Sequence, residues 1–336
     1  MKMNVGMVGC GDIAGYTAFF MRLNPGITIV CCCDISKERA QAFARRHGIK
    51  QVFTDYAAML SQARLDAVYL AVPHNPHFEM IKRTLESGRH VLAEKPLTRT
   101  YAEGLETVKT AQKAGLKLAV NYQYRYDAGI YRMARAAQDG QLGEIRYARI
   151  DVPWHRDRKY FEASPWHKSI AQAGGGTLIT QGSHFLDAAL WACGSRPVSA
   201  SGTTAQCVFR DLEVEDLAMG VIELGSGALI EICSSMAAAQ EGAVSIEVYG
   251  SRATALYTDR PWPRVRFIGA QIKTRNVPVF GFHALQRSIE GFRRWLDGGA
   301  PHLAAGGASL PVLAAVEAVY RSAQSGAREK VESTFE

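Results

Sequence analysis

Four stretches of the sequence carry residue types that do chemistry. The first, Gly9-Cys10-Gly11-Asp12-Ile13-Ala14, follows a short apolar run and opens a helical pattern. A Gly-x-Gly-x-x-Gly/Ala turn in that setting cradles a pyrophosphate. Gly9 permits the tight turn, Gly11 lets the backbone approach the phosphates at the helix N-terminus, and Ala14 keeps helix and strand close. Asp12 and Ile13 complete the turn. The second is Asp34, at the end of the next apolar run and 23 residues after Gly11. That is near the spacing of about 20 expected of an acid that binds the ribose hydroxyls. A carboxylate there repels a 2′-phosphate, so NAD is expected over NADP, although Lys37 keeps NADP open. Asp34 also suits a turn before the helix at Ser36, and Ser36 itself suits the cap. In the third stretch, Ala71-Val72-Pro73 ends another apolar run. Ligands bind outside the carboxyl ends of such strands, so Pro73, Asn75 and His77 are expected to line the cofactor crevice. Asn75 and Pro76 also read as a helix start. In the fourth, the run from His90 to Ala93 ends on Glu94-Lys95-Pro96. Charges and proline at a strand end are ordinary, yet the same topology brings Glu94 and Lys95 to the crevice.

These residues need a frame. Over residues 1–122, runs apolar on both faces alternate with helical patterns at 12–22, 36–46, 76–87 and 98–113. That is the mark of a parallel sheet covered on both sides, a doubly wound α/β (Rossmann) domain. Near residue 123 the pattern changes. One helix, AGIYRMARAAQDG, precedes β-rich segments such as EIRYARIDVPW and EDLAMGVIEL, and Leu224-Gly225-Ser226-Gly227 marks an antiparallel hairpin. Helical patterns return at 283–297 and 310–324. The division expected is a dinucleotide-binding domain at 1–122 and an α+β domain with a large, mostly antiparallel open sheet at 123–336.

The GCGDIA turn, the AVPHNPH segment, the AEKPL segment and GGGTLITQGSHFLD at 174–187, in that order, resemble the Gfo/Idh/MocA family. The family is named for glucose–fructose oxidoreductase and inositol dehydrogenase. The resemblance reaches YRSAQSG near the C-terminus. It implies a nicotinamide-dependent dehydrogenase acting on a hydroxyl of a sugar or cyclitol, with Lys95 and His184 as the catalytic pair. It also implies that Glu94 and Pro96 position the lysine, commonly with a cis bond before the proline, and that the open sheet mediates assembly into a dimer or tetramer. Arg125 is placed near the active cleft, with a structural ion pair as the alternative; Asn121 and Gln123 share that ambiguity. Many polyol dehydrogenases of the family carry aspartate four residues before the histidine. This chain has Thr180 there, on the same helical face as His184, which argues against a substrate such as myo-inositol.

Oxidising a secondary alcohol needs a base, a charge to stabilise the forming alkoxide and a hydride acceptor. His184 titrates near neutrality, and a helix start keeps its imidazole neutral. Lys95 is a point charge with three donors. Asp187, one turn on, either orients the imidazole or is a solvated acid. Residues 152–176 form a long loop rich in aromatic and basic residues. There Trp154 and Trp166 can stack on sugar faces, and Arg156, Arg158 and Lys168 can hold a carboxylate or phosphate. Two other functions compete. One is a glycosidase that borrows hydride transfer for elimination, with NAD tightly held. The other is a regulator of the same fold that binds sugar and NAD without chemistry, against which both Lys95 and His184 speak.

Composition bounds the rest. The 336 residues, 47% hydrophobic and 21% charged, suit two soluble domains. No window holds the roughly 18 apolar residues of a membrane span, and the N-terminal run is a glycine-broken strand rather than a secretory signal. The net charge of +7 is spread without a basic run, so neither nucleic acid nor membrane is expected as partner, whereas a preference for an anionic small molecule stays open. Seven cysteines without metal-ligand spacing read as reduced thiols in a cytoplasm, with no metal.

Overall fold

In a computed structural model of the chain, which describes residues 2–332, two compact units emerge. Among the described residues, unit 1 comprises 2–98, 102–123 and 279–308, and unit 2 comprises 99–101, 124–278 and 309–332. The division expected from the sequence lies between residues 122 and 123; the chain passes from unit 1 to unit 2 between Gln123 and Tyr124, and residues 279–308 interrupt the block expected at 123–336. Residues 279–308 return to unit 1, where the apolar stripe of their helix packs into the core.

Unit 1 holds six parallel strands: β1 (Met3–Val8), β2 (Ile27–Cys33), β3 (Gln51–Phe53), β4 (Ala67–Leu70), β5 (His90–Ala93) and β6 (Leu118–Val120). Their order, β3-β2-β1-β4-β5-β6, is that of the doubly wound dinucleotide fold. Helices α1 (Asp12–Arg22), α2 (Lys37–His47), α3 (Tyr56–Gln62), α4 (His77–Glu86) and α5 (Tyr101–Lys113) connect the strands. Burial on both faces explains the continuously apolar strands: β4 is buried at every residue.

Unit 2 begins with α6 (Ala128–Gln138) and β7 (Ile145–Pro153). Three short helical pieces follow, α7 (Arg158–Ala163), a 3-10 turn at Pro165–Lys168 and α8 (Ile170–Ala173), so the expected long loop is largely helical. A π-helical turn at Leu178–Gly182 runs into α9 (Ser183–Cys193). Strands β8 (Pro197–Ala205), β9 (Leu217–Leu224), β10 (Leu229–Ser235), β11 (Ser245–Gly250), β12 (Ala253–Thr258) and β13 (Arg264–Gly269) follow. The chain then forms α10 (Ala284–Leu296), which lies in unit 1, α11 (Leu310–Ser325) and β14 (Glu329–Lys330). The eight strands order as β13-β12-β11-β7-β10-β9-β8-β14, antiparallel except for the β7–β10 pair. One face is buried by Ile150, Ile222, Ile230 and Val248, while Tyr147, Met219, Val221 and Leu229 stand exposed on alternate positions.

In unit 1, Leu285, Ile289 and Phe292 of α10 join a core with Met3, Val5, Met7, Ala18, Tyr69 and Leu92. Spacings of four and three residues put these side chains on one stripe. Among the described residues, no helix is long and apolar enough to cross a membrane.

Candidate active site

The glycine turn is built as its sequence requires. Gly9 has a φ of +82°, and a Cβ there would lie 2.1 Å from the Ala71 carbonyl oxygen at the end of β4. Sterics of the fold demand glycine at that point. Gly11 differs: a Cβ there would meet nothing within 4 Å. It is the N-cap of α1 and offers the helix no side-chain cap, which leaves the positive end of the helix to an outside anion. A cavity of about 420 Å³ opens there, lined by Gly11, Asp12, Tyr16, Arg39, Arg46 and His47 among others. An open helix N-terminus with basic neighbours fits a dinucleotide's diphosphate.

Asp34 is half-buried at the end of β2 and faces this turn. One carboxylate oxygen accepts from the Cys10 amide at 2.8 Å and the other from the Ser36 amide at 2.9 Å. Its first role is thus to hold the glycine turn against β2, with further lone pairs left for ribose hydroxyls. Ser36 is the cap of α2, accepting from the Arg39 amide at 3.2 Å.

Of the three residues expected beyond β4, Pro73 is half-buried and Asn75 exposed, but His77 is fully buried. Its Nε2 lies 3.1 Å from the Val72 carbonyl, and its Nδ1 lies 2.9 Å from that of Pro96 and 3.3 Å from that of Leu97. The ring therefore clasps the end of β4 to the turn after β5 and does not line a crevice. As the first residue of α4, it turns inward. Burial pushes its pKa below the ordinary histidine value, against the pull of the three carbonyls.

Glu94 also departs from expectation. It is buried and turned into the unit, where its Oε1 accepts from the Tyr69 hydroxyl at 2.5 Å and the Asn121 amide at 2.6 Å. Burial pushes its pKa up, while those two donors and the Lys95 ammonium pull it back. It belongs to the frame of the turn rather than to a cofactor surface. The Lys95–Pro96 bond is cis. Between Val91 and Thr98, only Lys95 is not buried.

In unit 2, His184 is the second residue of α9 and is buried, with the Tyr124 ring edge-on at 5.3 Å. Phe185, the next residue, takes the edge of Trp154 at 5.5 Å. The Arg156 guanidinium lies over the Trp154 ring at 5.4 Å and over Tyr160 at 5.2 Å. Trp154 and Arg156 are thus brought to the same neighbourhood as His184. Arg158 instead pairs bidentately with Asp211 at the surface, at 2.9 and 2.8 Å.

Two expectations about α9 change. Asp187 neither orients His184 nor meets solvent: it is buried and receives Arg125 Nε and Nη2, both at 2.7 Å. Burial pushes the Asp187 pKa up, and the Arg125 guanidinium opposes this. Of the two readings of Arg125, the structure has the ion pair. Thr180 lies inside the π turn, which breaks the α-helical register on which a face shared with His184 was argued. Its hydroxyl donates to the Gly176 carbonyl at 2.7 Å.

Sequence reasoning missed Glu215. Buried, it accepts from the Gly176 amide at 2.6 Å, the Leu178 amide at 3.0 Å and the Tyr320 hydroxyl at 2.9 Å. It caps the helical run that carries His184. A Cβ on Gly176 would sit 1.8 Å from the Glu215 carbonyl oxygen, which explains the third glycine. The available signal was an acid pair, Glu215-Asp216, just before the apolar strand β9.

Sequence comparison matches residues 3–122 to the oxidoreductase family with NAD-binding Rossmann fold and residues 130–256 to the GFO/IDH/MocA C-terminal domain. The chain belongs to the Gfo/Idh/MocA family. It is an NAD-binding oxidoreductase. Among curated relatives, D-glucoside 3-dehydrogenase of Escherichia coli (strain K12) is 27% identical over 97% of both chains. Inositol 2-dehydrogenase of Rhizobium meliloti (strain 1021) is 26% identical over 96% of this chain and 97% of its own. Among solved structures, the WlbA dehydrogenase from Bordetella pertussis, in complex with NADH and UDP-GlcNAcA, superposes with a TM-score of 0.87. It is 26% identical, covering 99% of this chain and 100% of its own.

Proposed function

We propose that this oxidoreductase transfers a hydride between NAD(H) and a secondary hydroxyl or keto group of a sugar, sugar derivative or cyclitol. The observation that carries the proposal is Lys95: one partly exposed ammonium in an otherwise buried stretch, at the carboxyl end of β5 in a dinucleotide fold. Relatives named as glucoside and inositol dehydrogenases support the substrate class.

NAD, when bound, supplies the hydride acceptor. Gly9, Gly11, Asp12 and Ile13 hold its diphosphate, and Asp34 its ribose. Lys95 donates hydrogen bonds to the developing alkoxide, and its charge stabilises that oxygen. His184 takes the hydroxyl proton at Nε2 or Nδ1 in the oxidative direction and returns it in the reductive one. Trp154 offers a ring face to the carbohydrate, and Arg156 favours an anionic one. The oxidoreductase works in the cytoplasm as a homo-oligomer joined through the exposed face of its large sheet.

The test is NADH formation, followed by absorbance, with glycosides, free sugars, cyclitols, uronates and nucleotide sugars. Net NADH excludes a closed redox cycle of the glycosidase type. In Lys95→Ala, NAD binding persists while hydride transfer falls about a hundredfold or more. Wild-type turnover in that variant removes Lys95 from the mechanism.

A further inference from the structure

Glu94 is the end of a directional chain of buried hydrogen bonds. His302 Nδ1 accepts from the Ala304 amide at 3.1 Å. The ring proton therefore sits on Nε2, 3.2 Å from Ser288 Oγ. Ser288 in turn donates to Asn121 Oδ1 at 2.8 Å, and the Asn121 amide donates to Glu94 Oε1 at 2.6 Å. From the other side, Thr17 and Tyr69 hydroxyls lie 2.9 Å apart, and Tyr69 donates to the same Oε1 at 2.5 Å. Along this route the Asn121 side-chain oxygen accepts and its nitrogen donates, so the amide has one orientation consistent with its neighbours. His302 and Ser288 are buried, as are Asn121 and Glu94.

The backbone around Lys95 is gripped as firmly. The Glu94 amide donates to the Leu70 carbonyl at 2.8 Å, and the Asn121 amide to the Ala93 carbonyl at 2.7 Å. On the far side, the His77 ring meets the Pro96 and Leu97 carbonyls. We infer that Ser288 and His302, brought by the returning segment, are positioning residues for Lys95, fixing Asn121 and through it the Glu94 carboxylate beside the ammonium. This rests on the functional reading of Lys95.

Loss of the Ser288 hydroxyl frees the Asn121 amide to rotate away from Glu94. A buried carboxylate with one donor fewer holds its charge less firmly, so Lys95 loses part of its counter-charge and its turn loosens. Each half-unit fall in an ammonium pKa raises the free amine about threefold at neutral pH. The test is acylation of the full chain by acetic anhydride, with peptide mass spectrometry. In Ser288→Ala, Lys95 labels about threefold faster or more, while exposed Lys37 and Lys109 keep their rates; Ser288→Thr, which retains the hydroxyl, restores the wild-type rate. His302→Asn is read in the same way should Ser288→Ala not fold. An unchanged Lys95 rate overturns the inference, as does an equal rise at all three lysines, which marks general loosening. The labelling needs neither substrate nor cofactor, so a fully active Lys95→Ala sinks the dehydrogenase role of Lys95 without deciding this outcome.

Discussion

In Glu215→Gln, an amide replaces a carboxylate that accepts from Gly176, Leu178 and Tyr320. At least one buried donor then faces another donor, at a cost of about 1–3 kcal/mol. A lowered midpoint in urea denaturation checks this; an unchanged midpoint shows that the cap is dispensable. Asp34→Ala acts on the cofactor side. It removes the acid proposed for the ribose and also releases the Cys10 amide, so the expected outcome is weaker NAD binding together with a smaller preference for NAD over NADP, read by fluorescence titration of both. Residue types were legible here, and the directions of their side chains were not. The sequence marks Glu94 as an anomaly at a strand end, but burial of its carboxylate depends on Tyr69 and Asn121, which lie elsewhere in the chain. Asp187 finds Arg125 62 positions away, a pairing that no local spacing announces.

Among the elements, α10 has the most to add. Glu290 on this helix accepts from Asn24 at the end of α1 and from Arg293 and Arg294. Burial alone would raise its pKa, but the two guanidinium groups and the Asn24 amide outweigh that and hold it at about 2. A depressed carboxylate contributes stability above the unfolded value, and that contribution is lost as pH falls. Stability is therefore expected to decline between about pH 4.5 and 2, and Glu290→Gln to flatten that decline in acid-denaturation curves. An identical slope in the variant would exclude Glu290 as its source. The apolar stripe makes a second demand: Phe292→Ala is expected to cost about 3–5 kcal/mol, seen by urea denaturation. Periodicity revealed α10 as a helix but could not say which unit it joins, because an apolar stripe fits any apolar partner. The edge strand β3 escaped notice for another reason: it has three residues, two of them exposed. The short strands β12 and β13 flank a proline-rich turn at 260–263 and left equally little pattern.

For the whole molecule, the exposed sheet face is the surface proposed for assembly. Tyr147 pairs in register with Leu229, and Arg149 with Glu231, so apolar and charged residues share that face. Val221→Glu puts a carboxylate among them. The expected outcome is a shift in light scattering towards the 36.8 kDa protomer, while a monomeric wild type would remove assembly from the account. Both sheets and the parallel-then-antiparallel order were readable from the amino acids, since alternation and continuous apolarity are local signals.

The return of residues 279–308 to unit 1 bears on how such a gene can be cut. Expression of residues 1–122 alone leaves bare the surface that Leu285, Ile289 and Phe292 cover, and removes Ser288 and His302 with them. A spliced gene joining residue 123 to 279 through a short linker is the smallest piece that keeps the nucleotide-binding half whole. Recombination between homologues must therefore move two separated exons' worth of chain together, or it exchanges neither half cleanly.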